Sequence, residues 1–208
     1  MSSSVRSDRQ SVFLNVPFDV RYGRLFMALL AGLSGLGLKP RCVLEVPSGG
    51  RNRLDRIHGL IASCGASLHD LSRTGLSGPF RVPRFNMPFE LGIACALAQG
   101  SPHNFFVLEE KPYRLQASLS DLNGHDPHIH DGTQIGILRT VLDCFAPPVG
   151  GPSLGALQSL TRRLTRIVAR LQQEQRLEHP FHPYLFRQTV QAATELALSD
   201  SLIRLDAE

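Results

Sequence analysis

Glu90 is the residue whose type and placement best suit it to chemistry. It stands in Phe85-Asn-Met-Pro-Phe-Glu-Leu-Gly-Ile-Ala94, where Pro88 is expected to open a helix and set the carboxylate in the first helical turn. The positive end of a helix dipole favours the anion there by roughly 0.3–1 kcal/mol. An ionised carboxylate at a cleft can attack an anomeric carbon or stabilise an oxocarbenium-like centre. Acidic residues also occupy first turns simply because they favour the helix, so spacing alone leaves both roles open.

Asp70 is the second candidate. Ser67-Leu-His-Asp-Leu-Ser72 places His69 and Asp70 where a buried strand leaves a sheet. A charge there costs free energy unless it is paired or bound to a ligand. Asp70 can hydrogen-bond ribose hydroxyls or share a proton with Glu90; Arg73 and Arg84 can hold a phosphate or pair with these carboxylates. An Asp–Arg structural pair is the plainer alternative. In Asn15-Val-Pro-Phe-Asp19, Asn15 and Asp19 can contact a ligand and Phe18 can form a stacking wall, although Asp19 serves equally well as a helix cap. Pro17, Tyr22, His69, Ser72 and Asn86 complete the candidate substrate contacts. Asp121-Leu-Asn-Gly-His-Asp-Pro-His-Ile-His-Asp131 gathers three histidines without any zinc spacing, and its Asn-Gly and Asp-Pro steps are turn signals. It reads as a loop that closes on the cleft, and no metal site is expected. Cys42, Cys64, Cys95 and Cys144 lie far apart with no CxxC pair, and read as small core residues.

The elements that must position these groups alternate. Strands are expected at Ser11–Asn15, Pro40–Val46, Ala66–Ser72 and Asn104–Glu109 from their short apolar runs. Helices are expected at Arg21–Leu36, Asn52–Cys64 and Pro88–Gln99, with a Gly-, Pro- and Arg-rich loop over Arg73–Met87. Leu115–Asp131 reads as irregular and Gln134–Phe145 as helical. This alternation implies an α/β fold with a parallel sheet wrapped by helices. In such sheets ligands bind beyond the carboxyl ends of the strands, which selects Asn15–Asp19, Asp70–Arg73 and the start of the Pro88 helix.

Length and composition fit one such domain with an appendage. The 208 residues are 42% hydrophobic and 19% charged, so a core can form. No apolar run approaches the roughly 18 residues of a membrane span, and the polar start has no secretory apolar region, so a cytoplasmic protein is expected. The net charge is +4, but the basic residues are scattered, the only lysines are Lys39 and Lys111, and there is no Trp; nucleic acid is not the expected partner. Residues 1–10 read as a flexible N-terminus and 11–146 as the α/β domain. Ala146-Pro-Pro-Val-Gly-Gly-Pro152 reads as a linker. Residues 153–208 form the appendage, with helices over Ser153–Glu178 and Tyr184–Ala197 that pack on the domain or on a second subunit.

The segments 12–19 (Val-Phe-Leu-Asn-Val-Pro-Phe-Asp), 68–73 (Leu-His-Asp-Leu-Ser-Arg) and 88–97 (Pro-Phe-Glu-Leu-Gly-Ile-Ala-Cys-Ala-Leu), in this order, resemble the nucleoside 2-deoxyribosyltransferase-like and TIR-like superfamily. The third segment is similar to the Glu-Leu-Gly-x-Ala-x-Ala-Leu helix of the deoxyribosyltransferases, and the resemblance covers about Ser11 to Phe145. It implies a flavodoxin-like three-layer fold and cleavage of an N-glycosidic bond. It further implies Glu90 as catalytic carboxylate and Asp70 as the strand-end acid that holds ribose or base. TIR-like members cleave NAD, often in bacterial anti-phage defence; deoxyribosyltransferase-like members exchange bases or hydrolyse nucleoside monophosphates. Two departures stand out. The first strand ends in Asn-Val-Pro-Phe-Asp instead of a Ser-Tyr-Ser-like turn, and the Arg73–Met87 insert, with Arg81 and Arg84, suits a phosphorylated substrate. The expectation is therefore a nucleotide N-glycoside hydrolase, with NAD as substrate instead of cofactor and a homo-oligomer formed through the C-terminal helices. A nucleoside 2-deoxyribosyltransferase or nucleoside-monophosphate N-glycosidase is the enzymatic alternative that the resemblance implies, and a nucleotide-sensing module built on the same cleft is the non-enzymatic one.

Overall fold

Val12, Phe13 and Leu14 are buried between polar flanks and lie in β1 (Asp8–Asn15). The structure, a computed structural model, describes residues 8–45, 52–76, 81–147 and 149–203. The further elements are α1 (Gly23–Gly35), β2 (Lys39–Arg41), α2 (Arg53–Ala62), β3 (Cys64–Asp70), α3 (Asn86–Ala98) and β4 (Asn104–Glu109). They are followed by α4 (Arg114–Ser118), β5 (His128–Ile129), α5 (Gln134–Phe145), α6 (Leu154–Glu174) and α7 (Pro183–Ser199). The sheet runs in the order β2-β1-β3-β4-β5, the flavodoxin-like order of an α/β fold. The β1/β3, β3/β4 and β4/β5 pairs are parallel. Among the described residues no helix is long and apolar enough to cross a membrane.

The chain divides into two compact units. The first, Met1–Pro17 and Arg41–Asp131, holds most of the sheet with α2 and α3. Phe13 packs with Ile57, Leu60 and Ile61 of α2 and Ala94 of α3. Leu71, Met87, Leu91, Val107 and Leu115 form a second cluster, which sets the end of β3 beside the first turns of α3. A Cβ on Gly65 would stand 2.7 Å from the Arg9 backbone, so only glycine permits β1 and β3 to approach this closely. The second unit, Phe18–Pro40 and Gly132–Glu208, gathers α1, α5, α6 and α7. α1 packs against all three of its helical partners, and a Cβ on Gly35 would collide with Leu157 of α6.

Several boundaries differ from expectation. Residues 1–7 lie outside the described residues, but Asp8–Gln10, expected to be flexible, extend β1. The expected strand over Pro40–Val46 is three residues of β2 followed by a 3-10 turn, Val43–Glu45, with Val46 outside the described residues. The stretch read as irregular holds α4, a 3-10 turn at Ser120–Leu122, and β5, which pairs Leu108 with His128 and Glu109 with Ile129. α3 starts at Asn86, so Asn86 and Met87 belong to it and Pro88 is its third residue; no backbone donor is needed that early in a helix.

Candidate functional site

The carboxyl ends of β3, β4 and β5 bring together Asp70, Glu109 and His130. Asp70 and His130 are fully buried, with His130 Nε2 3.2 Å from Asp70 Oδ2. Asp70 Oδ1 accepts from the Ser72 N–H at 2.9 Å, and the His130 N–H donates to the Glu109 carbonyl at 3.0 Å. Arg114 Nη1 ties the group together by donating to the Ser72 carbonyl (2.6 Å) and to Glu109 Oε1 (3.4 Å). Burial alone would lower the pKa of His130, but the hydrogen bond and charge of Asp70, with Glu110 and Glu109 behind it, raise it above the ordinary imidazole value. Burial also raises Glu109, reinforced by Asp70 and opposed by the Glu110 N–H, Arg114 and His130. The Ser72 hydroxyl is buried with no hydrogen-bond partner among the described residues.

Glu90 stands apart electrostatically. It is the fifth residue of α3, beyond the first turn where a dipole acts strongly, and it is 5% exposed. It makes no hydrogen bond among the described residues, and its charged neighbour is Arg53 at the start of α2. Burial pushes its pKa up to about 7 against the modest opposing pull of Arg53. Glu90 thus lies two residues further into the helix than expected, and burial outweighs the stabilisation of the anion that the helix start offers. Asp70 is paired with His130, not with Glu90.

No family model, curated protein or solved structure matches the chain.

The remaining candidates fall into three groups. Arg84 donates its backbone N–H to the Thr74 carbonyl at 2.9 Å, which fastens the two ends of the arginine-bearing loop beside Ser72; both Arg73 and Arg84 are half-buried. Residues 77–80 of that loop lie outside the described residues, and Asn86 is exposed. Asn15, Pro17 and His69 are buried within the sheet unit. Asn15 Nδ2 lies 3.0 Å from His69 Nδ1 and 2.8 Å from the Met87 carbonyl. Phe18, Asp19 and Tyr22 belong to the helical unit. There Phe18 packs against Phe26 and Phe181, Asp19 Oδ1 caps the Val20–Tyr22 turn through the Tyr22 N–H, and Tyr22 is fully buried.

The three histidines of the 121–131 segment have separate neighbours. His125 packs on Phe105, His128 on Phe106, and His130 enters the Asp70 pair. Among the described residues no group of side chains is arranged to hold a metal. Cys42 and Cys64 are buried, as expected of core cysteines, whereas Cys95 and Cys144 are half-buried; burial raises the thiols of Cys64 and Cys95. Two participants, Glu109 and Arg114, escaped the sequence reading of the site, and His130 was read only as part of a loop over the cleft. Glu109 was within reach of it, because the rule that selected Asp70 at a strand's carboxyl end selects Glu109 as well.

Proposed function

We propose that the chain hydrolyses the N-glycosidic bond of a nucleotide, with NAD as the favoured substrate and Glu90 as the catalytic carboxylate. The observation that carries this reading is Glu90 itself, a buried carboxyl group with no hydrogen bond among the described residues and a pKa pushed to about 7. An acid whose pKa sits near the working pH can both stabilise charge as the anion and move a proton. The resemblance of the 88–97 segment to the deoxyribosyltransferase helix supports the same residue.

In the reaction, the C1′–N bond breaks and its electron pair leaves with the base. A positively charged nicotinamide ring beside Glu90 favours the ionised carboxylate, which then faces the oxocarbenium-like ribose. Water adds at C1′, and its proton passes to the carboxylate and then to solvent. Asp70, set in place by His130 and the Ser72 N–H, is assigned to the ribose hydroxyls, joined by the Ser72 hydroxyl. Arg73 and Arg84 take the phosphates.

The pH dependence of kcat/KM tests this assignment, because it reports the free enzyme's ionisations. With NAD, kcat/KM is expected to rise as pH passes through about 7 and Glu90 loses its proton. A flat profile between pH 5.5 and 8.5 would remove Glu90 from the reaction. A neutral base, such as that of a nucleoside monophosphate, leaves more readily when protonated. Because Glu90 is half protonated near pH 7, that substrate is the second reading, and its kcat/KM would fall over the same interval. Arg84→Ala is expected to raise KM for a phosphorylated substrate about tenfold while leaving kcat within a factor of three, as loss of a charge-assisted contact common to ground and transition states requires. An unchanged KM would take Arg84 out of the phosphate site.

A further inference from the structure

The sheet contains a continuous chain of buried polar groups that the reaction proposed above does not use. The His103 Nδ1 is 3.0 Å from the Cys64 carbonyl, and its Nε2 is 2.9 Å from Ser67 Oγ. Ser67 Oγ is 2.9 Å from His69 Nε2, and His69 Nδ1 is 3.0 Å from Asn15 Nδ2, which also lies 2.8 Å from the Met87 carbonyl. Ser67 and His69 are fully buried, and Asn15 and His103 nearly so.

The two ends fix every proton in this chain. A carbonyl only accepts, so His103 carries its hydrogen on Nδ1 and accepts the Ser67 hydroxyl hydrogen at Nε2. Ser67 Oγ then accepts from His69 Nε2–H, and His69 Nδ1 is left to accept from the Asn15 amide. The second Asn15 N–H donates to Met87. This pattern requires a neutral His69, and burial pushes that ring's pKa down to about 3. A fully satisfied buried network is a rigid one.

We propose that Asn15 and His69 are positioning residues: they clamp the Met87 carbonyl in the first turn of α3 and thereby hold Glu90, three residues further on, at its buried place. Their catalytic importance rests on the reading of Glu90 given above, whereas the clamp itself stands on the hydrogen-bond chain.

The side-chain carboxyl of Glu90 can be titrated by carbon-13 NMR in full-length protein carrying labelled glutamate, with Glu90→Gln identifying the signal. No substrate is needed, so the clamp is tested even if the chain hydrolyses nothing. In wild type Glu90 is expected to titrate near 7. In Asn15→Ala and His69→Phe, the released turn admits water and the midpoint is expected to fall by at least one pH unit. Since Arg53 is the charge that faces Glu90 from α2, Arg53→Gln is the control that leaves the clamp intact. His69→Gln, which can accept from Asn15 and donate to Ser67, is expected to restore the wild-type midpoint. Where turnover is measurable, kcat is expected to fall at least tenfold in Asn15→Ala with KM changed less than threefold. A Glu90 midpoint unmoved in both disrupting variants, or a rise in KM alone, would overturn the proposal; the latter would make Asn15 a substrate contact.

Discussion

Glu90→Gln is expected to lose roughly 10³-fold in the rate of base release, within the range that a positioned acid–base group contributes. Glutamine keeps the volume and polarity of the side chain but neither stabilises a cationic ribose by charge nor accepts a proton from water. The same variant is expected to be more stable than wild type at high pH. A carboxyl group that titrates near 4.5 in the unfolded chain and about 7 in the folded one binds its proton more tightly in the folded state. The stability held below pH 4.5 therefore drains away as pH rises toward 7, by up to about 3 kcal/mol. Removing the charge abolishes that loss. Melting curves should thus separate the two proteins by several degrees at pH 8 and bring them together near pH 4.5. A group that costs stability and supports turnover is the signature of a functional residue; equal stability at both pH values would remove the burial of charge on which the assignment depends.

Asp70→Ala is expected to destabilise the fold by about 3 kcal/mol, because it removes the buried carboxylate 3.2 Å from His130 Nε2 and leaves the Ser72 N–H buried without its acceptor. Asp70→Asn keeps an acceptor for Ser72 and should cost less, since His130 can shed its proton. Its deficit should depend on pH in a definite direction. Asp70 raises His130 above its ordinary value, so the stability from this pair is fully present below about pH 6.5 and is lost as pH rises through the raised value. The asparagine variant should therefore fall furthest behind wild type near pH 5.5 and approach it at high pH. Denaturant unfolding at pH 5.5 and 8.5 measures this. A deficit that grows with pH would mean that Asp70 is not the partner that holds the His130 proton.

The features that were legible in the sequence share a physical property: their causes are local. β4 and α5 occupy the expected residues, Asn104–Glu109 and Gln134–Phe145, because an unbroken apolar run and a Thr133 cap with a helical apolar stripe specify them within a few residues. β5 could not be read this way. His128 and Ile129 have no strand pattern of their own and are extended because β4 offers them a partner edge. The placement of Glu90 shows the same contrast in energies. The expected dipole effect is at most about 1 kcal/mol, while the cost of burying the charge is about 3 kcal/mol, and the latter is a property of the packed tertiary structure. The pairing of Asp70 with His130, 60 residues away, was likewise invisible, although the position of Asp70 at the end of β3 followed directly from the alternation of elements.

The most direct test of the account is chromatography of NAD, nucleoside monophosphates and deoxynucleosides after incubation with the purified protein, beside a parallel incubation with Glu90→Gln. Free nicotinamide from NAD, or free base from a nucleoside monophosphate, produced by wild type and lost in Glu90→Gln, is the predicted result. Base release that persists undiminished in Glu90→Gln would contradict the central role of that carboxylate. Intact substrates with wild-type protein, together with tight nucleotide binding on the same samples, would replace the hydrolase by a nucleotide sensor.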